Sequence, residues 1–226
     1  MIALMQPTLA FDVYGTLIDP MGIVDALEAV IPGDAAAFAA AWRGKQVEYL
    51  FRRGLGRRYE PFSVCTRQAL DYTARVFGVT LSPADCDRLL ASYRCLPAYP
   101  GAAEALDRLA AAGFVNYAFS NGEPDDLAAL LASAGIAGRF RGIVSVRDAR
   151  SYKPDPAVYA FFLENTGAVL GSTWLVSANS FDVIGAREVG WKAVWVRRDE
   201  RQVFDPWGIE PTAVVTGLHE LIDVLR

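Results

Sequence analysis

The chain has 226 residues, a formal net charge of −4 and hydrophobic residues at 53% of its positions. This composition allows a sizeable core in one large domain or in a domain with an insertion. It gives no basic balance suited to nucleic acid, and no apolar run approaches the roughly 18 residues that cross a bilayer. We therefore expect neither a nucleic-acid partner nor a membrane partner. Three cysteines without a CxxC pair, and an N-terminus without a signal-peptide pattern, favour a reduced, cytoplasmic protein.

Short runs rich in β-branched and aromatic residues recur along the chain and predict strands. Helical patterns separate most of them, and two of these patterns end at a glycine suited to a helix C-cap. Alternating strands and helices predict an α/β fold with a Rossmann-like, doubly wound parallel sheet, whose site lies at the carboxyl ends of the strands. The predicted strands cover residues 8–14, 115–120, 142–146, 173–178, 192–197 and 212–217, and the helices cover 102–113, 124–135, 154–167 and 181–190.

Residues 20–98 interrupt this alternation because they contain no convincing strand. Apolar residues such as Phe38 and Trp42 recur there at helical spacing. Two further helical patterns cover residues 68–79 and 82–93. We interpret residues 20–98 as a helical cap domain, inserted into a core domain that comprises residues 1–19 and 99–226.

Four short polar motifs follow successive predicted core strands. They are DVYGT from Asp12, SNG from Ser120, YKPDP around Lys153 and SANSFD from Ser177. Because parallel strands end at one edge of the sheet, we expect the four motifs to meet there. An aspartate at a strand end can attack an electrophile and form a covalent ester, which splits one difficult step into two.

The order and spacing of these motifs resemble the haloacid dehalogenase superfamily, and the resemblance covers nearly the whole chain, including the helical segment. Most members of that superfamily are phosphatases, which use Mg²⁺ held by carboxylates. The resemblance places two of those carboxylates at positions that are Tyr14 and Ala178 here. We therefore expect no metal, no other cofactor and no metal-dependent phosphoryl transfer.

Within the superfamily, the four motifs are most similar to the L-2-haloacid dehalogenases, which share the tyrosine after the nucleophile. The segment AWRGKQVEYLFRR also resembles the cap helix that carries the halide-binding arginine of that subfamily, which corresponds to Arg43. The resemblance implies hydrolysis of (S)-2-haloacids, haloacetates included, to (R)-2-hydroxyacids and halide through an aspartyl ester. The implied partners are the 2-haloacid substrate and the halide product, and the implied assembly is a homodimer.

The resemblance implies a role for each matched residue. Asp12 is the nucleophile, while Arg43 and Asn121 bind the halide. Lys153 stabilises the charge on Asp12, since a nearby cation keeps a carboxylate ionised. Asp182 is the best candidate for the base that activates water, because no histidine lies near a motif. The implied catalytic residues are Asp12, Thr16, Arg43, Lys153, Tyr159, Ser177, Asn179 and Asp182, and the substrate-binding residues are Tyr14, Val47, Phe62, Ser120, Asn121 and Phe181.

The remaining residues of these sets serve the groups named above. Ser120, with nearby backbone amides, is expected to hold the substrate carboxylate. Ser177 and Asn179 position the attacking water together with Asp182. The other implied roles are support of the nucleophile and of Lys153 by Thr16 and Tyr159, and an apolar wall beside C2 of the substrate made by Val47, Phe62 and Phe181.

Two positions depart from the subfamily's pattern. Gly44 stands where that pattern has glutamine after the cap arginine, and Phe181 stands where it often has tryptophan. We expect both differences to change pocket volume and access, and so the substrate range. Two other functions stay open: a phosphatase or phosphonate-cleaving relative, and a scaffold that binds small acids without turning them over.

Overall fold

The computed structural model describes residues 6–225. In this part of the chain, six strands form one parallel sheet, which confirms the predicted α/β fold. The strands are β1 (Thr8–Phe11), β2 (Val115–Ser120), β3 (Gly142–Ser145), β4 (Thr173–Ser177), β5 (Lys192–Val196) and β6 (Ala213–Val215), and their order in the sheet is β3-β2-β1-β4-β5-β6. Most of them end one to three residues earlier than predicted.

Helices alternate with the strands in the second half of the chain, as predicted. None of the helices within residues 6–225 is both long enough and apolar enough to cross a membrane. The helices are α1 (Val24–Glu28), α2 (Ala35–Leu55), α3 (Phe62–Val76), α4 (Pro83–Ser92), α5 (Ala102–Ala111), α6 (Pro124–Ser133), α7 (Pro156–Thr166), α8 (Ser180–Glu188) and α9 (Leu221–Val224).

The helices α1 to α4 all lie in the segment that interrupts the alternation. The chain leaves and re-joins the sheet at one place, where Ile18 and Ala98 form an antiparallel bridge. The N–H of Asp19 donates to the Pro97 carbonyl at 2.9 Å, beside that bridge. This geometry supports the predicted cap boundaries, which stay a prediction. The helix predicted over residues 68–79 begins six residues earlier, at Phe62, because Pro61 acts as its N-cap.

The strand order places the predicted site at the point where the sheet changes winding direction. β1 is central, with β2 on one side and β4 on the other. In open parallel sheets the crevice at such a point, outside the carboxyl ends of the strands, is the usual binding site. The motifs that follow β1, β2 and β4 therefore surround one crevice, and α2 and α3 of the helical segment contribute its other side.

Candidate active site

The nucleophile candidate Asp12 follows β1 directly and is largely buried. Its N–H donates to the Val176 carbonyl of β4 at 3.0 Å, so its backbone continues the pairing of β1 with β4. The chain then turns at Gly15, whose φ of +89° lies in the left-handed region that favours glycine. The strand pairing and the turn together fix where the Asp12 carboxylate is presented.

The two carboxylate oxygens of Asp12 have different surroundings. Oδ2 accepts hydrogen bonds from the Thr16 hydroxyl at 2.8 Å and from the Asn179 amide at 2.8 Å. The Ser177 hydroxyl is a third, longer donor to Oδ2 at 3.5 Å. Oδ1 has the Lys153 ammonium at 3.3 Å as its partner. Oδ2 therefore anchors the carboxylate, and Oδ1 is the oxygen with spare capacity to attack a substrate.

Lys153 lies between two carboxylates, with only 1% of its side chain exposed. Its ammonium is 3.3 Å from Asp12 Oδ1 and 2.8 Å from Asp182 Oδ2. It also donates to the Phe119 carbonyl at the end of β2, at 2.8 Å. An ammonium has three donors, and these three acceptors satisfy all of them. The cation is thus held rigidly beside Asp12.

Asp182, the candidate base, is completely buried at the start of α8. Its Oδ2 accepts from Lys153, and its Oδ1 accepts from the Tyr159 hydroxyl at 2.8 Å. Burial raises the pKa of the Asp182 carboxyl, and the Lys153 ammonium opposes that rise. Asp182 therefore links Tyr159 to Lys153 by hydrogen bonds, and the support of Lys153 by Tyr159 stays a prediction.

Tyr14 contributes its carbonyl as well as its ring. The carbonyl accepts from the Asn179 amide at 3.2 Å and from Arg43 Nη2 at 3.4 Å. The ring is buried and stacks on Phe62, with centroids 5.1 Å apart. Burial raises the pKa of the Tyr14 phenol above its ordinary value, so this side chain adds no negative charge beside Asp12.

These side chains enclose a small chamber. The chamber has a volume of about 10 Å³, which is roughly the room that one water molecule needs. Four predicted catalytic residues, namely Thr16, Tyr159, Ser177 and Asp182, lie behind its wall. The residues that line the chamber are Asp12, Tyr14, Arg43, Val47, Leu50, Phe62, Ser120, Asn121, Lys153, Asn179 and Phe181.

The helix α2 brings its own residues to the chamber at helical spacing. Arg43, Val47 and Leu50 occupy positions i, i+4 and i+7 on α2, and all three line the chamber. Arg43 Nη1 donates to Gln46 Oε1 at 2.6 Å, and Gln46 Nε2 donates to the Thr66 hydroxyl of α3 at 2.5 Å. The predicted set lacks Leu50 and Gln46. Gln46 lies one turn after Arg43 and is fully buried. A polar residue on the apolar face of α2 was the feature of the sequence that could have indicated its role.

The comparisons with known proteins agree with this geometry. Residues 7–190 match the model of the haloacid dehalogenase-like hydrolases. The chain belongs to the haloacid dehalogenase-like hydrolase family. An (S)-2-haloacid dehalogenase of Pseudomonas putida is 34% identical over 223 residues, which cover 98% of this chain and 99% of that protein. A haloacetate dehalogenase of Moraxella is 33% identical, with 96% of each chain covered.

The solved structures give the same result. The L-2-haloacid dehalogenase from Xanthobacter autotrophicus with chloropropionic acid covalently bound superposes with a TM-score of 0.91. It is 33% identical to this chain, and the match covers 98% of this chain and 99% of that one. Within the hydrolase family, the chain therefore belongs with the L-2-haloacid dehalogenases, as its motifs predict.

The two positions of this hydrolase that depart from the family pattern have different surroundings. Gly44 is exposed on α2, and a Cβ added there would meet nothing within 4 Å. Gly44 is not among the residues that line the chamber, and its effect on pocket volume and access stays a prediction. Phe181 does line the chamber, as expected, and packs edge-on against Phe51 with centroids 4.9 Å apart.

The hydrolase also uses an arginine that lies outside the four motifs. Arg198 donates to the carbonyls of Gly15 and Thr16 at 2.9 and 2.5 Å. Its guanidinium stacks over the Tyr99 ring at 3.8 Å. Arg198 thereby braces the turn after the nucleophile. The only feature of the sequence that could have indicated this role is that Arg198 follows the predicted strand at β5, whose carboxyl end lies at the same edge of the sheet.

Proposed function

We propose that this protein hydrolyses (S)-2-haloacids, including haloacetates, to (R)-2-hydroxyacids and halide, without a metal. The observation that carries the proposal is the chamber itself. It combines the Asp12 carboxylate with the cations Lys153 and Arg43 and an apolar wall of Val47, Phe62 and Phe181. This composition matches a small anion that has an electrophilic carbon and an anionic leaving group. The named activities of relatives 33% to 34% identical over nearly the full chain support it.

In the first step, Asp12 Oδ1 attacks C2 of the substrate in line with the carbon–halogen bond. The C2–O bond forms as that bond breaks, the halide leaves with the bonding electron pair, and C2 is inverted. Arg43 and Asn121 receive the halide, since a guanidinium keeps its charge in any pocket and offers several donors. The backbone N–H of Lys153 donates to Asn121 Oδ1 at 3.0 Å, so the NH₂ end of that amide is the end suited to bind the anion. Ser120, beside it, takes the substrate carboxylate.

In the second step, water attacks the carbonyl carbon of the Asp12 ester. Asp182 accepts a proton from the water, and the bond from the ester carbonyl to the substrate oxygen breaks. The hydroxyacid leaves with that proton, the second proton of the water is released to solvent, and Asp12 is regenerated as a carboxylate with one oxygen from water. Ser177 and Asn179 position the water, since both already contact Asp12 Oδ2. The raised pKa of Asp182 suits a base better than an ordinary aspartate pKa would.

The arrangement around Asn179 disfavours the phosphatase alternative. Its amide N–H groups donate to Asp12 Oδ2 and to the Tyr14 carbonyl, at 2.8 and 3.2 Å. A divalent cation needs such oxygens as ligands, and here amide donors occupy them. Within residues 6–225, no group of three or more His, Cys, Asp or Glu side chains is placed to hold a metal ion.

The deciding experiment measures halide release from (S)- and (R)-2-chloropropionate in the presence of EDTA. We expect release from the (S) enantiomer alone and (R)-lactate as the product. The Asp12→Asn variant, which keeps the shape of the side chain, is the matched control and is expected to release none. No release by the folded wild-type protein, or activity that EDTA removes, would contradict the proposal. The homodimer and the cytoplasmic location stay predictions, and light scattering tests the first.

A further inference from the structure

Phe181 borders two spaces of very different size. On one side is the chamber, with a volume of about 10 Å³. On the other side is an open groove with a volume of about 660 Å³. Leu50 and Lys153 also reach both spaces, but Lys153 is held by its two carboxylates. The half-buried Phe181 ring, packed edge-on against Phe51, is therefore the aromatic part of the partition.

The groove beyond Phe181 suits an apolar chain. Its wall includes Leu55, which is 90% exposed, and Trp207, which is 67% exposed. Large apolar side chains that are exposed in this way mark places where an apolar group gains by binding. Besides Lys153, the groove is lined by two arginines, Arg52 and Arg57, and by one acid, Asp155. The Asp155 carboxylate already accepts from the Ser151 hydroxyl at 2.6 Å and from the Ala157 N–H at 2.9 Å.

The opposite wall of the chamber leads to a different surface. There Phe62, stacked on Tyr14, separates the chamber from a hollow of about 670 Å³. That hollow contains three carboxylates and two arginines, with Arg67–Asp87 and Arg94–Asp126 ion pairs at 2.7 and 2.9 Å. An apolar chain laid there would take these exposed ion pairs out of water, which costs free energy.

We propose that Phe181 sets the chain-length limit of this enzyme, and that the groove behind it is the site that an alkyl tail at C2 would take. The proposal rests on the proposed function. The ring closes the chamber against the groove, so the wild-type protein is restricted to short 2-haloacids. Removing the ring joins the two spaces, and the tail of a longer (S)-2-haloalkanoate then lies against Leu55 and Trp207.

The test compares (S)-2-bromopropanoate with (S)-2-bromohexanoate in the wild type, in Phe181→Ala and in Phe62→Ala. The two variants remove the same ring from opposite walls. We expect the ratio of kcat/KM for the six-carbon acid over the three-carbon acid to rise about tenfold or more in Phe181→Ala, because three extra methylenes gain an apolar contact. The same ratio is expected to change less than about twofold in Phe62→Ala.

The proposal would be overturned by an unchanged ratio in Phe181→Ala, or by a rise in Phe62→Ala that exceeds the rise in Phe181→Ala. Bromide release by the wild type would in either case leave the proposed function intact. Phe181→Leu is a milder variant for which we expect a rise in the same direction, and thermal melting checks that each variant is folded. If the wild type releases no bromide, the proposed function fails. Calorimetric binding of propanoate and hexanoate then tests the partition by itself, with the same shift in affinity ratio expected in Phe181→Ala.

Discussion

The two sides of the chamber are built in different ways. On the strand-end side, Lys153 has three fixed acceptors and Asp182 has a partner on each oxygen. On the helical side, the chamber is closed by the apolar side chains of Val47, Leu50 and Phe62 around one arginine. Hydrogen bonds fix the side chains of the first side, whereas the packing of apolar side chains fixes the second. The strand-end side is therefore suited to chemistry, whereas the helical side, together with Phe181 of α8, bounds the space for the substrate.

The largest expected effect is on the strand-end side, from Asp182→Asn. Asparagine keeps the size of the side chain but cannot accept the proton of the attacking water, so the ester forms and is not hydrolysed. We expect about one equivalent of halide per active site in a burst, and a steady rate lower by about 10³-fold or more. Rapid-quench halide measurement, with mass spectrometry of the esterified protein, checks both quantities.

The pH dependence of the wild type is the companion measurement. A base acts only when it is deprotonated, so its activity is lost as the pH falls through its pKa. Because burial raises the pKa of Asp182 in the folded protein, we expect the acid limb of kcat to lie above the ordinary aspartate value of 3.8. Steady turnover by Asp182→Asn without an accumulated ester would show that another group activates the water.

Arg43→Gln tests the only cation that α2 brings into the chamber. Glutamine keeps a polar side chain near the chamber but removes the positive charge from the departing halide. We expect kcat/KM to fall by about 10²-fold to 10³-fold, comparable to the loss of one preorganised donor at a developing negative charge. Steady-state halide release measures this fall in kcat/KM. The matched control is Arg53→Gln, because Arg53 lies on the same helix but does not line the chamber. An equal loss in both variants would assign the effect to stability instead of halide binding.

Gln46→Ala has a smaller expected effect because Gln46 acts through Arg43. Its removal leaves Arg43 Nη1 without the acceptor now at 2.6 Å, and we expect kcat/KM to fall about fivefold to tenfold. A purely structural role would add to the loss caused by other substitutions. We therefore expect Gln46→Ala to cause no further loss of kcat/KM in an Arg43→Ala background, since the two residues are in direct contact. Additive losses in the double variant would contradict the positioning role.

The same division explains how much could be predicted from the sequence. The strand ends carry compact motifs with fixed spacing, so Asp12, Lys153 and Asn179 are found from the chain alone, and all three line the chamber. Gln46 and Leu50 were missed because a helical face is recognised by periodicity, which shows that a residue is buried but not what it faces. Arg198 was missed because its partners are backbone carbonyls 182 and 183 positions away, and no local pattern records such a contact.

The smallest expected effect is also the sharpest test of the helical side, and it concerns Gly44. This glycine lies inside α2, is exposed and has open space around a built Cβ. Alanine favours the helix over glycine, so Gly44→Ala is expected to raise the free energy of unfolding by about 0.5 to 1 kcal/mol. Activity is expected to stay within about twofold, because the position is exposed and does not line the chamber. Chemical denaturation and steady-state halide release measure the two quantities.

Gly185→Ala is the matched contrast within α8. The Cβ that it adds would lie 2.5 Å from the Tyr159 hydroxyl and 2.7 Å from Pro154 Cβ, so we expect this substitution to lower the free energy of unfolding.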